Sequence, residues 1–200
     1  MIQDRLRNKS VGIAGCGGLG SNCAVALARC GIGRLVIVDF DAVSADNLNR
    51  QYYFLDQVGQ KKVQALKDNI RRIDPQVEVS AVDRCLDPAS VSEVFRDCQV
   101  IVEAFDRAEM KKMLIETVLE LMPGKFVIAG SGLAGYGNNN DLRTRRIGNL
   151  FICGDEKSET SEAAPPLAPR VGVVANLQAN QAVEILLDHF SRGRPERRKT

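Results

Sequence analysis

Residues 10–30 read SVGIAGCGGLGSNCAVALARC. The opening SVGIA is apolar or small throughout, with β-branched Val11 and Ile13, the pattern of a short strand buried on both faces. Gly15, Gly17 and Gly20 come next in G-x-G-x-x-G spacing, with Gly18 and Leu19 between them, and Leu19 to Cys30 then repeats apolar residues at helical period. A glycine turn between a strand and a helix is the context that the dinucleotide fingerprint requires. The glycines let backbone approach phosphate, and the helix N-terminal amides face the anion. Leu35 to Val38 reads as a second strand, and Asp39 closes it where an acid can accept hydrogen bonds from ribose hydroxyls. The fingerprint by itself leaves NAD, FAD and ATP open.

Working outward, short β-branched runs keep alternating with helical segments. Gln60 to Ile73 carries Val63, Leu66, Ile70 and Ile73 on one helical face and stops at Asp74-Pro75. Strands are expected at Val77–Val82, Val100–Ala104 and Lys125–Ala129, and helices at Ala89–Phe95 and Ala108–Leu121, the latter closed by Pro123-Gly124. Beyond Gly130 the turn-rich SGLAGYGNNN leads to two runs, Leu142–Arg146 and Asn149–Cys153, read as a hairpin extending the sheet antiparallel. Gly154 to Pro169 is too long for an ordinary connection and reads as a flexible or functional crossover loop. Val171 to Phe190 is the last helix. The fold class is therefore α/β: a Rossmann-like, mostly parallel sheet with helices on both faces, extended by an antiparallel hairpin. Residues 1–190 are read as a single domain. Residues 191–200, with Arg192, Arg194, Arg197, Arg198 and Lys199 against Glu196 alone, are read as a basic, solvated, disordered tail.

The 200 residues, 44% hydrophobic, suffice for one substantial core. Lys and Arg number 27 against 25 Asp and Glu, a balance that argues against nonspecific attraction to nucleic acid or membrane. No apolar run approaches the roughly 20 residues that span a bilayer, and MIQDRLRNKS lacks the apolar core of a signal peptide, so a cytoplasmic protein is expected. The six cysteines form no CxxC pair. Cys16, Cys23 and Cys30 stand seven apart, near one helical face, and read as buried thiols acting as small hydrophobes. His189 is the only histidine, so a His-centred site has little material to build on.

The residues after Asp39 decide which nucleotide the loop would take. Asp41, Asn47, Asn49, Arg50 and Gln51 crowd just beyond the second strand, and Lys62 opens the next helix. Singly these are ordinary surface residues. Together, a guanidinium fork and an ammonium suit a triphosphate and a departing pyrophosphate. Asp106, just beyond the fourth strand, stands where ligands of open α/β sheets bind and is the candidate Mg²⁺ ligand, with an N-cap role for the next helix as the competing reading.

With these segments assembled, the chain resembles the ThiF/MoeB/HesA family, the bacterial relatives of ubiquitin-activating enzymes. The resemblance rests on GCGGLGSN (15–22), VDFDAVSADNLNRQ (38–51), VGQKKV (58–63), AFD (104–106) and PRVGVVANLQA (169–179). Within the family it is most similar to the short proteins called family 2, through AFDRAEMKK, SGLAGYGN and PPLAPRVG. The resemblance implies ATP and Mg²⁺ as cofactors, with Asp39 on the ribose, Asn47, Arg50 and Lys62 on the phosphates, Asp106 on the metal, and the glycine loop facing the nucleotide. It implies adenylation of the C-terminal Gly carboxylate of a small ubiquitin-like, ThiS-like sulfur-carrier protein ending in Gly-Gly, in thiamine biosynthesis, by a homodimer.

Three departures from the family pattern stand out. There are no paired CxxC motifs, so no zinc is expected. Ser161 occupies the crossover-loop position of a sulfur-transfer cysteine, while the earlier Cys153 reads as structural. The chain starts almost at its first strand, leaving Arg5 or Arg7 as the candidates for an arginine reaching a second subunit. The rival readings are an NAD(P)-dependent oxidoreductase, a non-catalytic nucleotide-binding module, and ATP-dependent activation of a small molecule or a tRNA base.

Overall fold

The computed structural model describes residues 1–189. In chain order the elements are α1 (Ile2–Leu6), β1 (Ser10–Ala14), α2 (Gly18–Arg29), β2 (Arg34–Asp39), α3 (Lys62–Ile73), β3 (Glu78–Asp83), α4 (Pro88–Val94), β4 (Val100–Glu103), α5 (Ala108–Leu121), β5 (Phe126–Gly130), β6 (Arg143–Ile147), β7 (Leu150–Gly154) and α6 (Ala168–Asp188). The seven strands form one sheet in the order β3-β2-β1-β4-β5-β7-β6.

β1 pairs in parallel with both β2 and β4, so the chain order reverses between β1 and β4. That reversal opens a crevice beyond the carboxyl ends of these strands, the usual ligand position in such sheets. One face of the sheet is covered by α2, α3 and α6, whose buried Leu27, Leu66, Ala175 and Ile185 join one apolar cluster. The other is covered by α4 and α5 through Val91, Leu114 and Val118, which pack with Phe95. Every residue of β4 and β5 is buried, which explains why those strands read as continuous apolar runs rather than alternating ones.

The expected elements form, with ends displaced by up to three residues, the largest shift being the start of α6 at Ala168 rather than Val171. Three local differences have physical causes. The hairpin does extend the sheet, but β7 runs parallel to β5, with Val127 opposite Leu150, and only β6 is antiparallel, on β7. A short helix, α1, precedes β1. Buried Leu6 and a bond from the Arg5 guanidinium to the Leu187 carbonyl at 2.7 Å hold it to the far end of the chain. Among the three spaced cysteines, Cys16 and Cys23 are buried, but Cys30 is exposed because it caps α2 where that helix has left the core. Phe190 and the basic tail lie outside the described residues. No described helix is long and apolar enough to cross a membrane.

Candidate nucleotide site

The glycine loop is shaped by two close approaches. Gly15 has φ of +97°, and a Cβ there would stand 2.7 Å from the Ala104 carbonyl oxygen at the end of β4. At Gly20 a Cβ would fall 1.8 Å from the Gly15 carbonyl oxygen, so the third glycine is fixed by the packing of α2 on β1. α2 then begins at Gly18, after Gly17 as an N-cap with no side-chain cap, leaving its first-turn amides available to an anion.

Asp39 is locked to this loop. Its Oδ2 accepts the Cys16 N–H at 2.6 Å and its Oδ1 accepts the Asp41 N–H at 2.8 Å. The Tyr53 hydroxyl donates to the Cys16 carbonyl at 2.7 Å and lies 3.4 Å from the Lys62 carbonyl, which ties the loop to the start of α3. Burial, with Cys16 and Asp39 nearby, drives the Tyr53 phenol far up from its ordinary range, so it stays a neutral donor. Cys16 itself is pushed well up by burial and by Asp39, against the pull of Lys62, and remains a thiol.

The cations are placed by short polar links. Asn22 donates to the Gly18 carbonyl at 2.7 Å and to the Arg50 carbonyl at 3.0 Å, holding the arginine segment against α2. The Arg50 guanidinium donates to Asn47 Oδ1 at 2.8 Å and to Asn49 Oδ1 at 2.9 Å, so both asparagines orient the fork. Lys62 is buried, its Nζ 2.7 Å from Asp41 Oδ2, while the Asp41 side chain is half exposed.

These groups meet in a cavity of about 680 Å³ at the carboxyl edge of the sheet, within the roughly 300–1,000 Å³ typical of small-molecule sites. Gly15, Gly17, Gly18, Leu19, Asp39, Asp41, Asn47, Arg50, Gln51, Lys62 and Asp106 all line it. Gly20, expected among them, does not, for the packing reason given above. Asp106 is exposed and, among the described residues, carries no ion pair or hydrogen bond. The N-cap of α5 is Arg107, and no side chain caps that helix. The helix-capping alternative for Asp106 therefore finds no support in the geometry. A single free carboxylate in the cavity wall fits Mg²⁺, which takes one or two carboxylates together with phosphate oxygens and water. No group of three or more His, Cys, Asp or Glu side chains converges among the described residues.

Two further features complete the site, and the side-chain pairs that hold them were not singled out from sequence. Lys111, which lines the cavity, places Nζ 2.7 Å from Glu103 Oε2 and 3.1 Å from the Gly130 carbonyl. Glu103 is fully buried. Burial pushes its carboxyl up, Lys111 pulls it back, and Oε1 accepts the Phe105 N–H at 2.7 Å. This pair braces the ends of β4 and β5 beneath the cavity. The only sequence trace is the AEMKK run, whose first lysine meets an acid that the sheet delivers.

The second feature is the crossover loop, which is built into the site. Ser158, Glu159, Thr160 and Pro166 line the cavity. Asp155 Oδ1 accepts the N–H groups of Lys157 and Ser158, each at 2.8 Å, and Oδ2 accepts from Arg170 at 2.5 Å. Arg170 also donates to the Gly137 carbonyl, so one buried guanidinium joins the loop, the segment after β5 and the start of α6. Ser161 is exposed in this loop, outside the cavity lining, and Cys153 is buried on β7 with its thiol pushed up by burial. Arg5 and Arg7 are both engaged within their own chain, Arg5 with Leu187 and Arg7 with Asp74 at 2.9 Å.

The ThiF family matches residues 2–199. The molybdopterin-synthase adenylyltransferase of Escherichia coli (strain K12) is 30% identical over 190 residues, covering 92% of this chain and 75% of the relative. Among solved structures, the E. coli tRNA N6-threonylcarbamoyladenosine dehydratase TcdA in complex with ATP superposes with a TM-score of 0.87 at 19% identity, covering 96% of this chain and 91% of that one. E. coli MccB with ATP superposes with a TM-score of 0.70 at 26% identity, covering 92% of this chain and 57% of that one.

Proposed function

We propose, from the premise that this chain belongs to the ThiF family, that it adenylates the C-terminal carboxylate of a small ubiquitin-like sulfur-carrier protein at the expense of ATP. The observation that carries this reading is the convergence of an anion-facing helix start, a ribose-directed Asp39, two cations and an unbonded Asp106 in one cavity. A nicotinamide-dependent oxidoreductase would use the glycine loop and Asp39 but gives no task to Arg50, Lys62 and Asp106 together.

Asp39 accepts the ribose hydroxyls, and the first-turn amides of α2 face the phosphates. Arg50 and Lys62 neutralise the β- and γ-phosphates, Arg50 through its asparagine-held fork and Lys62 by exchanging part of its interaction with Asp41 for a phosphate oxygen. Asp106 would hold Mg²⁺, which supplies further charge neutralisation along the phosphates when bound. The carrier carboxylate oxygen then attacks the α-phosphorus. The new O–P bond forms as the bond to the β-phosphate oxygen breaks, and pyrophosphate leaves with that electron pair. No side-chain nucleophile is required, because positioning and charge neutralisation carry the step. The crossover loop, latched by Asp155 and Arg170, covers the cavity and guides the flexible Gly-Gly tail. Residues 1–190 act as one adenylation domain, in a homodimer.

The test is exchange of labelled pyrophosphate into ATP. It is expected to depend on a carrier ending in Gly-Gly, with ThiS-like and molybdopterin-type carriers compared to assign the pathway. Exchange stimulated by tRNA and indifferent to every carrier would move the substrate to a tRNA base. Tight binding of NADH in place of ATP would return the site to the oxidoreductase reading.

A further inference from the structure

Lys111 lines the cavity with 27% of its side chain exposed, and its charge is already matched from below. Nζ donates to Glu103 Oε2 at 2.7 Å and to the Gly130 carbonyl at 3.1 Å. Glu103 is fully enclosed, and its other oxygen accepts the Phe105 N–H at 2.7 Å. Both oxygens of that carboxylate are therefore taken. An ammonium has three N–H donors, of which Lys111 uses two, and no third bond forms among the described residues. The brace thus fixes the ammonium at the ends of β4 and β5 and leaves one donor at the cavity surface.

The other cations of the cavity stand elsewhere. A Cβ built on Gly18, the first residue of α2, would lie 3.6 Å from Arg50 Cγ, and Lys62 is the first residue of α3. Both belong to the sheet face covered by α2, α3 and α6, whereas Lys111 comes from α5 on the opposite face. Arg84, beyond β3, pairs with Glu93 at 3.4 Å, and Arg107 is exposed with no side-chain bond among the described residues. In phosphoryl-type transfer the attacking and leaving oxygens lie roughly in line. With the outer phosphates drawn to Arg50 and Lys62, pyrophosphate departs toward the α2 and α3 side, and the attacking group arrives from the side of α5. There the wall beside Lys111 is the end of β5, with Gly132 and Leu133 next in the lining. The Asp155 N–H donates to the Gly132 carbonyl at 3.1 Å, so the root of the crossover loop lies against the same wall.

We infer that Lys111 receives the carboxylate of the carrier: its free N–H donates to one carboxylate oxygen while the other attacks the α-phosphorus, the new O–P bond forming as the bond to pyrophosphate breaks. The inference rests on the adenylation reading above and deepens it by naming the group that positions the nucleophile. The pairing with Glu103 suits that task. A lone cation would hold the carboxylate tightly and quench its attack, whereas an ammonium matched by a buried carboxylate orients the nucleophile with little net charge.

Pyrophosphate exchange measured against carrier concentration, with ThiS-like and molybdopterin-type carriers ending in Gly-Gly, separates this role from bracing. Calorimetric ATP affinity and melting temperature are measured alongside for the parent chain, Glu103→Gln, Lys111→Arg, and a double variant joining Glu103→Gln to Lys111→Met, which removes the pair without leaving a buried unpaired charge. In the double variant the carrier KM should rise roughly tenfold to a hundredfold, the range of a charge-assisted hydrogen bond, with ATP affinity within about threefold of the parent. Glu103→Gln alone weakens the brace but keeps the donor, so its melting temperature should fall while its carrier KM stays near the parent value. Lys111→Arg, which keeps a cationic donor, should have a KM much closer to the parent than to the double variant. A pair that only braces β4 and β5 would give Glu103→Gln and the double variant the same KM, and that result overturns the inference. So does a parent-like carrier KM in the double variant, or a loss of ATP affinity as large as the rise in KM, which would place Lys111 on the nucleotide. A parent chain that binds ATP yet exchanges with no carrier overturns the adenylation reading and the inference with it.

Discussion

Lys62 and Asp41 form an ion pair at 2.7 Å in which the lysine is buried and the aspartate half exposed to the cavity. Arg50 is held by a separate set, Asn47 and Asn49. In the ligand-free protein the two cations share no partner, so any coupling between them must run through the bound phosphates.

A double-mutant cycle exposes that coupling. For thermal stability without nucleotide, Arg50→Ala and Lys62→Ala should add to within about 0.5 kcal/mol. For pyrophosphate exchange, each single loss should be on the order of 1.5–3 kcal/mol, and the double loss should be clearly smaller than the sum, because removing either contact lets the phosphate tail drift from the other. Additive losses in exchange would place the two cations on separate tasks. Parent rates in both single variants would remove the case for ATP.

Asp106 separates chemistry from folding. It is exposed, unbonded within its own chain and not the cap of α5, so Asp106→Ala should leave the melting temperature within about a degree of the parent, as for substitutions away from packed features. Exchange should fall by at least about a hundredfold, the scale of losing a preorganised electrostatic contribution. Full exchange in this variant would remove its metal-binding role.

Cys153 should be dispensable for adenylation. Its side chain is buried on β7 with Thr144 Oγ1 3.5 Å from the sulfur, and burial keeps the thiol protonated. Cys153→Ser, and separately Ser161→Ala, should exchange pyrophosphate at close to the parent rate, with a small loss of melting temperature confined to the buried serine. Loss of exchange with an intact fold would assign the thiol a chemical task.

The Asp155 latch predicts an acid limit on the loop. Burial pushes this carboxyl up, but the Ser158 and Lys157 N–H groups, the Ser158 hydroxyl and Arg170 outweigh it and hold it at about 2. A carboxyl lowered from its ordinary value near 3.9 contributes stability that is fully present above that value and is lost as pH falls through the folded value. Melting temperature should therefore decline between about pH 4 and pH 2 by an amount that Asp155→Asn largely abolishes, the variant being less stable at neutral pH. An unchanged acid profile in Asp155→Asn would show that the latch does not carry this dependence.

How much of the fold and the site was legible in the sequence depends on how local each signal is. The glycine loop, Asp39 and the fully buried β4 and β5 announce themselves within a few residues, because strand, turn and helix periods are local properties. Arg50, Lys62 and Asp106 are expected together from the sequence, and all three line the cavity. The Glu103–Lys111 brace and the Asp155–Arg170 latch were not, because each pairs residues that only the sheet or the crossover brings together. The same holds for α1, whose five residues are too few to show a helical period and depend on a bond between positions 182 apart. The parallel pairing of β7 with β5 depends on the route of residues 131–142, and two adjacent strand-like runs read only as a hairpin. The fingerprint does not distinguish Gly20, where a Cβ would meet the Gly15 carbonyl, from Gly17, which stands open in the cavity wall.

The most direct test of the central claim is the intact mass of a Gly-Gly carrier after incubation with this protein, ATP, Mg²⁺ and pyrophosphatase. The account predicts that the carrier gains one AMP moiety at its C-terminal carboxylate, and that a carrier lacking the terminal glycine gains nothing. A protein that binds ATP yet returns every such carrier with unchanged mass would contradict it.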